Sequence, residues 1–127
     1  ELVYDFILVD LEEYQITPSW VTGVEFLRAC HQRLDEQGVL TLNLIVDEER
    51  SASEALHNVR QVFGTEVLLL TEPDHDNLLA LAFHRPAPPI PPAEILAQHG
   101  RRWGIDFTSM AGRVTRLDVP APAADSA

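Results

Sequence analysis

An α/β fold with a mixed sheet follows from three features of this 127-residue sequence. Apolar runs of strand length alternate with amphipathic runs of helix length, the order that builds parallel strands joined by crossover helices. The last two apolar runs are separated by only a short polar turn, so they form an antiparallel hairpin. The first run, residues 4–10, is apolar over Phe6-Ile7-Leu8-Val9 and ends on Asp10. That is the pattern of a parallel strand buried on both sheet faces, with a carboxylate at the end where open α/β sheets place their ligands. Parallel strands come first and the hairpin last, in a mixed sheet flanked by helices on both faces.

Each element has a local reason. Residues 11–19 are polar and contain Pro18, which marks a loop, and Thr17 or Ser19 can cap the segment that follows. Across residues 19–37, Phe26, Cys30 and Leu34 recur every four residues, while Glu25, Arg28, Gln32 and Arg33 take the wet side of a helix. Gly38 is its natural stop. Residues 39–46 form a second strand, interrupted by Thr41 and Asn43. The acidic run Asp47-Glu48-Glu49 leads to a helix over 51–63, capped by Ser51 or Ser53. Strands over 66–71 and 78–84 flank a turn at 73–77.

Residues 1–85 therefore read as the second half of a larger α/β domain. Residues 86–92 are a Pro-rich connector, because proline fixes the chain in an extended path and removes ladder donors. Residues 93–116 are a short helical extension, with a first helix over 93–99 stopped by Gly100 and a second around 107–114. Residues 117–127, largely Ala and Pro, are a disordered tail.

Composition excludes several functions. The formal net charge is -11, so nucleic acid is not a partner of choice. A cationic substrate such as a polyamine suits the charge, as does plain solubility. No apolar run approaches the roughly 20 residues a membrane span needs. Cys30 is the sole cysteine, which leaves no intrachain disulfide or thiolate zinc site and makes a reducing cytoplasm the default compartment. Asp74-His75-Asp76 resembles a metal trio only superficially, and a turn explains it. Cys30 on an apolar stripe reads as a core residue. Trp20 and Trp103 read as packing anchors, and for Trp20, just after the first loop, lining a substrate pocket is the alternative.

Four stretches resemble the second half of the spermidine/spermine synthase (polyamine aminopropyltransferase) family, which has a Rossmann-like methyltransferase fold. They are Tyr4-Asp5-Phe6-Ile7-Leu8-Val9-Asp10; Glu25-Phe26-Leu27 through Cys30 and Leu34 to Gly38-Val39-Leu40; residues 77–83; and residues 95–107 with Gly104-Ile105-Asp106-Phe107. The resemblance implies a partial Rossmann-like methyltransferase fold and a strand-end Asp-x-x-Asp motif. Its first Asp takes a proton from the attacking amine and its second holds the amine. Asp10 stands at the first position and Glu13, one methylene longer, at the second. Tyr14-Gln15 follows where the family often has Gly, Asp or Pro. The residue type suits the chemistry, since an alkylammonium must lose a proton before its nitrogen can attack carbon beside a sulfonium.

The cofactor half of such a site is missing from the sequence. None of the six glycines forms a G-x-G pair, so no turn cradles a nucleotide, and no cofactor is expected on this chain alone. Decarboxylated S-adenosylmethionine is the group donor expected of the intact protein, with a diamine as acceptor. The sequence thus reads as a fragment, inactive alone. Two alternatives stay open: a catalytically lapsed binding or assembly module, and an S-adenosylmethionine-dependent methyltransferase. A first strand cut from its neighbour becomes an exposed apolar edge. The partner expected there is a second copy, giving a homodimer, or a missing N-terminal half.

Overall fold

The computed structural model describes residues 2–46, 49–72 and 74–117. The elements run β1 (Tyr4–Val9), a 3₁₀ turn (Ser19–Thr22), α1 (Val24–Arg33), β2 (Leu34–Ile45), α2 (Glu49–Phe63), β3 (Val67–Thr71), β4 (Asn77–Phe83), α3 (Ala93–Trp103), a second 3₁₀ turn (Thr108–Met110) and β5 (Val114–Arg116). The five strands form one mixed sheet in the order β1-β2-β4-β3-β5, with β1 and β2 parallel and every other pair antiparallel. The expected mixed α/β architecture, with a C-terminal hairpin and flanking helices, is the one found.

Since β2 and β3 are both antiparallel to β4, they are parallel to each other. The crossovers β1-α1-β2 and β2-α2-β3 step the same way across the sheet, so right-handed connection puts α1 and α2 together on one face, rather than one on each face as expected. There Leu40, Leu42 and Leu44 of β2 and Ala80 and Ala82 of β4 are fully buried beneath Leu27 of α1 and Val59 of α2. Each such leucine contributes about 1.5–3 kcal/mol by leaving water. The small alanines let β4 lie close under the helices. Alternation sends Phe6, Leu8, Thr41, Asn43, Leu79 and Leu81 to the other face.

Several local expectations change. The helix over 19–37 is split: Gly23 is extended (φ -73°, ψ 148°), so a 3₁₀ turn precedes α1, and α1 ends where Leu34 turns extended. Gly38 is not a helix stop. It lies inside β2, where a Cβ would press on the Tyr4 carbonyl oxygen at 3.0 Å and Leu34 at 2.9 Å. A register shift accompanies it, with Tyr4 opposite Leu34 but Phe6 opposite Val39. Thr17 does not cap a helix; its hydroxyl accepts from the Ile45 amide at 2.8 Å and ties the loop to β2. Helix α2 starts at Glu49, which puts Ser51 and Ser53 inside it.

At the C-terminal side, α3 runs through Gly100 and stops at Gly104, whose left-handed φ of 69° ends the helix without strain. Gly100 is there for closeness rather than termination, since its Cβ would meet the Ile105 carbonyl oxygen at 2.3 Å. The helix expected around 107–114 is only the short 3₁₀ turn, after which the chain joins the sheet as β5. Leu117, assigned to the tail, is buried and its amide donates to the Val67 carbonyl. The rest of the expected tail, 118–127, lies outside the described residues, as do Asp47, Glu48 and Pro73.

Candidate functional site

The carboxyl ends of β1, β2 and β3 meet along one rim of the sheet, and β4 starts there. Asp10 follows the last residue of β1 and is exposed. The Asn43 side-chain amide of β2 donates to its Oδ1 at 3.0 Å. The Asn77 amide, at the start of β4, donates in turn to Asn43 Oδ1 at 3.0 Å. Asn77 thereby holds the Asn43 oxygen as an acceptor, which leaves the Asn43 NH₂ facing Asp10. One oxygen of Asp10 is fixed, and among the described residues the other has no protein donor.

Beyond Asp10 the chain folds into a two-residue hairpin. Glu13 and Ile16 exchange backbone hydrogen bonds at 2.8 and 3.2 Å. Tyr14 and Gln15 between them have φ of 52° and 67°. Two consecutive left-handed residues match a type I′ turn, for which Asn-Gly is the comfortable sequence. Holding Tyr and Gln there costs roughly 1–3 kcal/mol each, which the surrounding contacts must offset. The turn presents Tyr14 almost wholly to solvent and leads to Thr17, stapled to β2.

Behind this turn lies a cavity of about 440 Å³, lined among others by Glu13, Thr17, Trp20, Ile45, Glu54 and Asn58. Trp20 stands edge-on to Phe26 with ring centroids 5.2 Å apart, yet keeps more than half its surface exposed. The Asn58 amide donates to the Thr22 carbonyl at 3.0 Å, which fixes α2 against the 3₁₀ turn. Among the described residues the lining contains two carboxylates and an indole face, and no basic side chain. Such a pocket favours a cation, through charge and through cation–π attraction.

Two of the three sequence-derived site residues, Glu13 and Trp20, thus share a pocket. Asp10 does not line it; it sits with Asn43 and Asn77 on the sheet face away from α1 and α2. Sequence reasoning missed Asn43, Asn77, Glu54 and Asn58. Asn43 had left a signal as a polar break in an apolar strand. Asp74-His75-Asp76 lies in the β3–β4 turn, where the His75 amide donates to the Glu72 carbonyl. No group of three or more potential ligands able to hold a metal occurs among the described residues. None of their helices is long and apolar enough to cross a membrane.

No family model and no curated protein matches this chain. Among solved structures, it is similar to a probable spermidine synthase from Corynebacterium glutamicum, with a TM-score of 0.63 and 21% sequence identity. The match covers 90% of this chain and 41% of the other, so the chain spans about two-fifths of that protein's length. The chain therefore has a spermidine synthase-like, methyltransferase-type fold.

Proposed function

We propose that this chain carries the acceptor-amine half of a spermidine synthase-like aminopropyltransferase, acting in the cytoplasm. The observation that carries the reading is Asp10, held by Asn43 at the carboxyl end of β1, on the same rim of the fold as a separate cavity whose described lining has two carboxylates and an indole. The likeness of fold to a probable spermidine synthase supports it. In this reading Asp10 accepts a proton from the primary ammonium of a diamine. The freed nitrogen lone pair forms the new C–N bond to the aminopropyl carbon of decarboxylated S-adenosylmethionine. The C–S bond breaks, its electron pair neutralises the sulfonium, and a thioether leaves. Glu13 and Trp20 hold the distal ammonium by charge and by the indole face. The nucleotide side of the donor is held by polypeptide outside this chain, which has no glycine-rich turn.

The test is product formation by the full-length gene product given putrescine and decarboxylated S-adenosylmethionine. Asp10→Asn should lower kcat by about 10²- to 10⁴-fold, the usual worth of a positioned base. Glu13→Gln should act mainly on KM. Absence of any aminopropylated product sinks the enzyme reading. One observation favours a second reading, a lapsed family member that serves as a binding module: Asp10 and the Glu13–Trp20 pocket do not share a cavity. Diamine binding without turnover would select it. Calorimetry with S-adenosylmethionine and its decarboxylated form would separate out a methyltransferase.

A further inference from the structure

On the sheet face away from α1 and α2, a row of polar side chains crosses three strands. Val9 of β1 pairs with Leu42 of β2, so Asp10, one residue on, comes level with Asn43. Asn43 in turn pairs with Leu79 of β4, and Asn77 lies two residues before Leu79 on the same face. Diagonal neighbours of this kind are about 7–8 Å apart, within reach of two amide side chains. Around the row the face is apolar. Leu70 and Leu79 line a small cavity of about 250 Å³ together with the two asparagines and Glu72. Asp10 is exposed, whereas Asn43 and Asn77 are half-buried.

We propose that Asn77 is a positioning residue for Asp10, acting through Asn43. The carboxylate end sets the polarity of the row. An ionised carboxylate only accepts, so Asn43 must turn its NH₂ toward Asp10, at 3.0 Å. Its carbonyl oxygen then points the other way, toward β4, where only a donor can meet it. Asn77 supplies that donor at 3.0 Å. Strand β2 lies between β1 and β4, so the Asn43 NH₂ cannot serve Asp10 and Asn77 at once. An amide tethered at one end can swing about its χ angles; tethered at both, it stays where it is. Reversing it would set oxygen against the Asp10 carboxylate and force Asn77 to turn as well, a mismatch that apolar surroundings make costly.

The consequence for rate rests on the reading of Asp10 as the base; the order of the hydrogen bonds does not. With one oxygen pinned by Asn43, the other is held at a fixed angle for an incoming ammonium. Two substitutions at Asn77 remove its donor in different ways. Asn77→Leu keeps the bulk and leaves the Asn43 oxygen without a partner. Asn77→Asp keeps the shape but adds a second carboxylate, which competes with Asp10 for the same NH₂. If Asn77 merely filled space, the two changes would not differ in this direction. As a positioning residue, it makes the aspartate variant the worse of the two.

Kinetics and NMR on the full-length gene product test it. With putrescine and decarboxylated S-adenosylmethionine, Asn77→Asp should lower kcat by about 10- to 100-fold, the scale of a misplaced reacting group. Asn77→Leu should lower it less, and KM should stay within about twofold in both. In an Asp10→Asn background either change should alter kcat by less than about twofold, because the two residues act as one unit. In side-chain amide spectra, the Asn43 proton bonded to Asp10 should move upfield in both Asn77 variants. Glu72→Gln, in the same small cavity but paired with Arg113, should leave kcat and that resonance unchanged. Should Asn77→Asp fold poorly, Asn77→Leu decides. Unchanged kcat in the Asn77 variants, full multiplication of the losses in the double variants, an unmoved Asn43 resonance, or an equal loss from Glu72→Gln overturns the proposal. If the native protein forms no product, the enzyme reading fails and the Asn43 resonance alone decides this one.

Discussion

The two edges of the sheet that the described residues form differ in length and polarity. Edge β5 is three residues long, and its surroundings are polar. The Arg116 guanidinium turns back to the Pro88 carbonyl at 3.1 Å, and Arg113 pairs with Glu72 while donating to the Ser109 carbonyl. A short edge bordered by arginines discourages further strands. Edge β1 is six residues long, apolar and unguarded. Both edges belong to one sheet over one core, so hydrophobic burial alone does not explain the difference. What separates them is the extension after the proline connector, which returns the chain to the sheet at β5 and finishes that side. Nothing among the described residues finishes the other.

The contrast breaks most sharply at Gly100. Alanine there gains helix propensity, worth about 1 kcal/mol. Its Cβ, however, would lie 2.3 Å from the Ile105 carbonyl oxygen, a main-chain atom that cannot swing aside. Separating α3 from the 104–107 turn shifts the segment that delivers β5. The net loss should be about 2 kcal/mol, within the range for overpacking, and thermal unfolding should fall by roughly 5–10 °C. Hydrogen exchange should rise at β5 before β1. Unchanged stability would mean that α3 does not position the guarded edge.

The difference between the edges was only partly legible in the sequence. Strands β1, β3 and β4 and the parallel-then-hairpin order were readable, because apolar period and turn chemistry are local signals. The exposed apolar edge at β1 was also readable, since a strand with four apolar residues needs a neighbour on each side. Strand β5 was not. Val114-Thr115-Arg116 is too short for a period, and its strand state comes from pairing with Leu68–Leu70, a tertiary decision. Gly38 and Gly100 misled for a shared reason. A glycine that stops a helix and one that lets two backbones touch look alike until the partner backbone is known. In the site, Asp10 was legible from its place after the strand. Its separation from Glu13 and Trp20 was not, because it depends on how a two-residue turn with positive φ aims the loop.

A smaller effect should appear on the β1 side under mild acid. His31, in the last turn of α1, stacks on His84 with centroids 4.3 Å apart and meets Phe63 edge-on at 5.1 Å. Burial, and then the neighbouring His84 charge, hold the His31 pKa below its ordinary 6.5. The unfolded chain therefore binds this proton more readily than the folded one. Stability from this group is full above the ordinary value and falls as pH drops through it toward the lowered folded value. Urea midpoints should be lower at pH 5.5 than at 7.5. His31→Phe, which keeps the ring contacts, should flatten the difference between those two midpoints. Amide exchange corrected for intrinsic pH effects should rise in α1 ahead of β5. An equal rise at both would show that the histidine stack bears on the whole core rather than on one edge.

The least costly change tests whether the charges at β5 are guards or struts. Arg113 and Glu72 form an ion pair with side chains 21% and 47% exposed, in reach of solvent and salt. Pairs of that exposure contribute about 0–1 kcal/mol. Arg113→Ala also removes the bond to the Ser109 carbonyl, so its cost should sit near the top of that range and shrink in 0.5 M NaCl. A loss above about 2 kcal/mol would instead make the pair a structural support. If the pair is only a guard, its removal should cost little stability and appear elsewhere, as association through β5. Arg113→Ala should then raise self-association in sedimentation above that of the unaltered protein. Unchanged association in Arg113→Ala would show that the shortness of β5, rather than its arginines, keeps that edge closed.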